Sequence, residues 1–351
     1  MGSTREVSEE AVGGVLCAGY GSRMAPITDV IPKPLIPFLN TPFLAYTLDH
    51  LRAMGVQNIA INLHHLAELV PPVADPLCRV MGLTVRYARE WEILGTAGGA
   101  RGIWQALGEP SKTLVLMNGD SIMNIDLARH FEAHKASGAR ATMVLRPREK
   151  DQPGKVWVKD GQLLGLRDFR HPAAEDGMEE YDFTGVYFLE PELLAEIPLE
   201  KGCMVGDILG PRLSDGEAIH GSINHDFWAA LDTPELYFST TCRVLENREI
   251  FRQVPLPNPL GDGLFVFHEA GVDGKAKLAG PLLTGAHVKV SAGAYIGPHV
   301  VLDGVEVSTG AKVRNAVLYG MGAVEGEWEN CLAIAGKVVT LKSSLILDDS
   351  P

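Results

Sequence analysis

A buried strand that runs straight into glycines and a guanidinium constrains this chain more than any other feature. Val12 to Ala18 is an unbroken apolar run, the pattern of a parallel strand covered on both faces. Gly19-Tyr20-Gly21-Ser22-Arg23-Met24 follows at once. Without a Cβ, Gly19 and Gly21 let the backbone turn sharply and aim successive N–H groups at one concavity, which suits phosphate. Arg23 adds a planar fork matched to phosphate oxygens. Lys33, held between Pro32 and Pro34, aims a second cation from a stiffened backbone. The stretch is not a Walker loop, because no Gly-Lys-Ser/Thr follows. Nor is it a dinucleotide fingerprint, because Met24 stands in place of the third glycine.

Strands and helices then alternate. Thr41 and Pro42 read as the N-cap and first residue of a helix that carries Phe43, Leu44, Leu48, Leu51 and Met54 on one face and stops at Gly55. Ile59 to Leu63 is the next buried strand. His64 and His65 at its end have no carboxylate at ligand spacing and read as loop residues. Leu83 to Ala88 is a third strand. Trp91 to Ala100 contains Leu94-Gly95-Thr96-Ala97-Gly98, a strand-to-helix junction with Thr96 as its cap. Leu114 to Asn118 is a strand ending in Gly119-Asp120, and a carboxylate there suits Mg²⁺, which prefers hard oxygens; a turn cap is the other reading. Asp126 caps a helix over 127–136. Ala139 to Pro147 is a strand, 156–164 a hairpin about Lys159-Asp160-Gly161, Tyr181 to Tyr187 a strand and Met204 to Asp215 a helix. This alternation predicts an α/β fold with a doubly wound sheet, whose ligands sit at the carboxyl ends of the strands.

The chain has 351 residues and a net charge of −13. An acidic surface argues against nucleic acid or an anionic membrane as partner. Five cysteines are scattered, without metal-ligand spacing, and read as reduced in a cytoplasmic protein. Met1 to Glu10 has no signal-peptide core, and no apolar run is long enough to span a bilayer.

After the proline-rich stretch 255–259 the periodicity changes. Six-residue units with a leading aliphatic begin at Val290, Ile296, Val307 and Val313, with a shortened unit over 302–306. This is a hexapeptide β-helix pattern, in which stacked coils bury the aliphatics. His287 and His299 lie inside it, neither in a catalytic setting, so acyl transfer on the coils is a minor reading. The coil faces suggest self-association into a homo-oligomer.

The long motif Ala18 to Met24, Thr28 and Pro32 to Leu35 resembles the signature of the sugar-1-phosphate nucleotidyltransferases. The resemblance implies a Rossmann-like, doubly wound mixed sheet over residues 8–250, a linker over 251–262 and a short C-terminal left-handed β-helix over 263–345. It implies Mg²⁺-dependent transfer from an NTP to a sugar 1-phosphate, with release of pyrophosphate. Ala18, Gly19, Gly21, Ser22 and Gly119 would line the nucleotide, Gly95 and Thr96 the base. Arg23 and Lys33 would hold the phosphates, and Asp120 the metal. The Val115-Leu116-Met117-Asn118-Gly119-Asp120 stretch and the short coil look most like mannose-1-phosphate guanylyltransferases, with uridylyl transfer as the second choice.

Two stretches depart from the family pattern. A lysine that grips the sugar phosphate is absent from 166–171, leaving Arg167 and Arg170 as substitutes, beside Thr184 and Gly185 on the next strand. Where relatives have Trp-x-Asp-Ile/Leu-Gly-Thr-Pro, this chain has Trp228-Ala229-Ala230-Leu231-Asp232-Thr233-Pro234. The metal aspartate is replaced by Ala230. Asp232 is on the same side of an extended segment and is the shifted candidate, with His225 and Asp226 nearby. These departures keep a second reading open: a homologue that binds nucleotide sugar and regulates a partner transferase.

Overall fold

The computed structural model describes residues 9–148, 155–174, 176–253, 256–261 and 263–342. The chain divides into two compact units, one reaching to Tyr20 and resuming over Leu44–Trp228, the other made of Gly21–Phe43 and Ala229 onward.

The first unit is a ten-stranded mixed sheet with helices on both faces. Its strands are β1 (Ala11–Leu16), β2 (Asn58–Leu63), β3 (Thr84–Arg89), β4 (Thr113–Asn118), β5 (Ala141–Pro147), β6 (Val156–Lys159), β7 (Gln162–Leu166), β8 (Phe169–Arg170), β9 (Glu179–Leu189) and β10 (His220–Ile223). The order is β8-β7-β10-β5-β9-β4-β1-β2-β3, with β6 pairing β7 and β9. β1 runs parallel to β2 and β4, whereas β9 enters antiparallel to both β4 and β5. The helices include α1 (Phe43–Met54), α2 (Pro71–Met81), α3 (Gly95–Ala106) and α4 (Leu127–Ser137).

Gly13 and Gly14 explain how the two helical layers approach β1. A Cβ on Gly13 would come 2.8 Å from Ile59 and 3.0 Å from Leu51 of α1, and one on Gly14 would come 2.9 Å from Ile103 of α3. Successive residues of a strand face opposite sides, so the pair admits one helix on each. The core between α3 and the sheet gathers Val12, Leu114, Leu116, Met143 and Leu145 with Ala100 and Ile103.

Two local readings need correction. Thr41 and Pro42 do not start a helix. They form a strand paired with Pro37–Phe38, and α1 begins at Phe43. The reason lies between the strands: Leu39 and Asn40 have φ of 47° and 67°, the backbone of a tight two-residue hairpin turn. Thr96 does not cap α3 either. Leu94 holds the cap position, and the Thr96 hydroxyl accepts from Met204 N at 2.8 Å. Asp126 does cap α4, accepting from Arg129 N at 3.1 Å.

In the second unit, α5 (Pro234–Glu246) packs with the 37–43 hairpin: Phe38 lies 5.9 Å from the Tyr237 ring and 6.1 Å from Phe251. The C-terminal strands are parallel and form three ladders. In the first, Leu264 pairs with Leu282, Leu282 with Val300, Val300 with Ala316 and Ala316 with Cys331. The second joins Gly271, Lys289 and Glu306; the third joins Lys277, Tyr295, Lys312 and Glu327. The early step between partners is eighteen residues, three six-residue units, and it shortens to sixteen and then fifteen along the first ladder. The shortened unit over 302–306 coincides with a register shift between Asp303 and Val305, where Gly304 takes φ of 62°. Val288, Val290, Val305, Val307, Val313 and Leu318 are buried in one apolar stack. Among the described residues the last strand, Lys337–Thr340, reverses and pairs antiparallel with Cys331–Ile334.

The linker expected over 251–262 includes residues 254, 255 and 262, which lie outside the described residues, and its 256–261 portion holds no helix or strand. Residues 1–8, where the absence of a signal core was read, and 343–345, the end of the expected repeat domain, also lie outside them. Among the described residues no helix is long and apolar enough to cross a membrane. The five cysteines are free thiols.

Candidate active site

The first unit has one topological switch point. From β1 the chain steps to β2 and β3 on one side and then returns to place β4 on the other. Loops that leave the carboxyl ends of two such strands diverge and open a crevice between them. The strands here are β1 and β4, in register at Leu16 and Asn118. Their continuations are Cys17-Ala18-Gly19 and Gly119-Asp120, linked by Gly119 N donating to Leu16 O at 3.0 Å. Gly119 is required by close packing, since a Cβ there would lie 2.7 Å from Cys17 Sγ. Burial pushes the Cys17 thiol up, and the neighbouring Asp120 charge adds to this, so the thiol stays protonated and serves as packing. Asp120 is half-buried at the mouth; above Gly19 nothing lies within 4 Å of where a Cβ would be.

A polar chain missed by the sequence reading ties these strand ends together. Cys17 N donates to Asn62 Oδ1 at 2.7 Å, Asn62 Nδ2 to Glu90 Oε1 at 2.7 Å, and Leu94 N to Glu90 Oε2 at 2.8 Å. Asn62 and Glu90 are 2% and 5% exposed, so each needs these partners. The signal was present: an asparagine inside an apolar strand and a glutamate just after the next one. His64 Nδ1 lies 3.0 Å from Glu90 O and its Nε2 3.1 Å from Tyr20 OH, which makes it part of the loop scaffold.

The remaining first-unit candidates separate into two groups. At the start of α3, Ala97 N donates to Gly202 O and Gly202 N to Leu94 O, so the Gly95-Thr96 turn clasps the 200–204 segment, with Thr96 itself exposed. On β9, a register shift against β5 marks a bulge at Thr184-Gly185. The Thr184 hydroxyl is fully buried and donates to Val144 O at 2.7 Å, and its carbonyl accepts from Trp228 Nε1 at 2.8 Å. Arg167 and Arg170 lie by β8, the sheet edge. Arg170 donates to the carbonyls of Arg167 and Phe169 and stacks 4.0 Å from the Trp157 ring centre. Its cation is thus committed to its own hairpin.

The second unit holds the rest of the signature. Gly21 takes φ of 61°, and its carbonyl accepts from Met24 N at 2.8 Å and from the Thr28 hydroxyl at 3.0 Å. Thr28 therefore fixes the turn. Ser22 and Arg23 are exposed. Lys33 is only 5% exposed, and its Nζ donates to Asp232 Oδ1 at 2.5 Å. Arg23 reaches Asp232 Oδ2 at 2.9 Å. Burial alternates through Ala229, Ala230, Leu231 and Asp232, as expected of an extended segment, and Thr233 then caps α5 by accepting from Leu236 N. His225 and Asp226 are exposed.

Among the described residues, no group of three or more His, Cys, Asp or Glu forms a ready-made metal cage. The donor set nevertheless fits Mg²⁺, which is held by one or two carboxylates and completes its shell with water and substrate phosphates. Asp120 offers such a hard oxygen at the switch point.

A nucleotidyl transferase family model matches residues 12–247. A UTP–glucose-1-phosphate uridylyltransferase of Synechocystis is 30% identical over 322 residues, 87% of this chain and 82% of its own length. A mannose-1-phosphate guanylyltransferase of Mycobacterium tuberculosis is 28% identical, with 86% of this chain and 80% of that protein covered. A crystal structure assigned to a glucose-1-phosphate thymidylyltransferase of Bacillus anthracis superposes with a TM-score of 0.51 at 21% identity, over 64% of this chain and 90% of the other, and so shares the fold. The chain belongs to the nucleotidyl transferase family, within its sugar-1-phosphate branch.

Proposed function

We propose that this protein makes an NDP-sugar and pyrophosphate from an NTP and a sugar 1-phosphate. The supporting observation is the pairing of Leu16 with Asn118, and of Gly119 N with Leu16 O, at the carboxyl ends of the two strands that flank the switch point and lead into Gly19 and Asp120. The reaction is an in-line displacement: a sugar-phosphate oxygen bonds to the α-phosphorus while the bond to the β-phosphate breaks. It asks for alignment and charge neutralisation rather than covalent help. Ala18, Gly19, Gly21 and Ser22 line the triphosphate, Gly119 the space beside it, and Gly95 and Thr96 the base. Arg23 and Lys33 carry the positive charge that faces the departing pyrophosphate. Asp120 would hold Mg²⁺, which when bound neutralises phosphate charge; Asp232 is the shifted candidate for a second ligand. Arg167, Arg170, Thr184 and Gly185 remain candidates for the sugar phosphate.

The transferase domain spans 8–250. Residues 263–345 form a short left-handed β-helix that assembles a homo-oligomer, supported by three parallel ladders with an eighteen-residue step. The free cysteines fit a cytoplasmic enzyme. GTP and mannose 1-phosphate are the proposed pair. The Synechocystis relative favours UTP and glucose 1-phosphate as the second.

Pyrophosphate release, measured with Mg²⁺ across four NTPs and a panel of sugar 1-phosphates, tests this reading. Release with one pair, lost in Asp120→Asn, is expected. No release with any pair, while NDP-sugars still bind, would replace the enzyme with a regulator.

A further inference from the structure

We infer that Asp232 is a built-in anion that occupies the phosphate seat of Lys33 and Arg23 when no substrate is bound, and that incoming polyphosphate displaces it. The inference rests on the phosphate-holding role proposed above for these two cations. What carries it is the way one carboxylate is shared. Oδ1 takes the Lys33 ammonium at 2.5 Å and Oδ2 takes the Arg23 guanidinium at 2.9 Å. Two oxygens of one anion, each on a different cation, is also how two non-bridging oxygens of a phosphate would be held.

Burial makes such an anion necessary. The Lys33 side chain is 6% exposed, and an ammonium withdrawn from water needs a counter-charge beside it. Exposure also makes exchange feasible. The Asp232 side chain is 21% exposed and that of Arg23 68%, so the carboxylate side of the cluster opens to solvent. This chain carries its carboxylate at Asp232, with an alanine two residues earlier at Ala230. The three groups sum to a single positive charge. Neutralising Asp232 removes one negative charge from this cluster, so a polyanion then meets a stronger field there.

Calorimetric titration of pyrophosphate in EDTA into the full-length wild type, Asp232→Asn and Asp232→Glu tests this. Asp232→Asn should bind about five-fold tighter, the scale of one partly exposed ion pair. Asp232→Glu should stay near wild type. Asp232→Ala, read in parallel, gives the same answer should the amide variant fail to fold. Unchanged or weaker binding by a folded Asp232→Asn in EDTA overturns the inference. A metal ligand would give that unchanged result, with weakening confined to samples containing Mg²⁺. Wild-type protein that binds neither pyrophosphate nor any NTP overturns the phosphate-holding role itself, and does so before any variant is made.

Discussion

The sheet of the first unit and the ladders of the second both contain parallel strands, yet they use sequence in opposite ways. In the sheet almost every important position is singular. Gly14 faces Ile103, Gly119 faces Cys17, and Asn62 and Glu90 bridge three particular strand ends. In the ladders one rule repeats. Val288, Lys289 and Val290 alternate buried, exposed, buried, and Val305, Glu306 and Val307 repeat the pattern on the next strand of the ladder. Even the surface follows suit: Lys289 meets Glu306 and Lys312 meets Glu327, each at 2.7 Å across neighbouring strands. A periodic core tolerates approximate repeats, whereas a switch point depends on individual residues. The switch point therefore holds side chains that differ from all others, and the ladders do not.

The sharpest way to break this comparison is Asp120→Asn. Loss of a unique charge at the switch point should lower kcat at least about 100-fold with little change in thermal stability. Steady-state turnover and a melting curve measure both. The matching test in the ladders is Leu302→Ala. That side chain is fully buried, so its truncation should cost about 3 kcal/mol. The loss should appear as reduced hydrogen-exchange protection along residues 282–334, with protection of the sheet strands retained.

A third test uses pH. Burial first, then the Arg129 charge, lowers the His130 pKa from 6.5 to about 4. The folded state thus binds this proton less readily than the unfolded chain. Its stabilisation is complete above pH 6.5 and disappears as pH falls towards 4, a loss on the order of 3 kcal/mol. His130→Gln should flatten that part of a stability-versus-pH curve measured by urea denaturation. A second loss belongs to Glu190. Burial alone would raise its pKa, but hydrogen bonds from His134, Thr113 and Lys135 outweigh it and hold the group at about 2. That stabilisation is present above pH 4.5 and fades below it. The smallest effect expected is Asp126→Ala, where loss of one cap on α4 should cost about 1 kcal/mol in the same urea assay.

Legibility from sequence followed the same division. Apolar runs such as Leu114 to Met117 announced their strands because burial on both faces leaves no alternative. The parallel ladders stood out by their six-residue repeat. The Thr41-Pro42 pair misled because a helix start and a hairpin strand can share the same residues; the turn geometry of Leu39 and Asn40 decides between them. Partners far apart in the chain were illegible. Nothing near Lys33 in sequence points to Asp232, and nothing near His130 points to Ser222, whose hydroxyl lies 2.6 Å from its Nδ1. Arg167 and Arg170 were chosen for charge alone, and charge does not reveal that Arg170 lies against Trp157.

The reversed final strand has a consequence for life in a crowded solution. A pile of parallel strands with an open last rung is a template on which a second molecule could continue the pile, and a third after it, into a fibre. Lys337–Thr340 covers that rung along Cys331–Ile334 running in the wrong direction. A newcomer meeting Cys331–Ile334 would find a strand that breaks the repeat, so that part of the rung is closed to continuation of the pile.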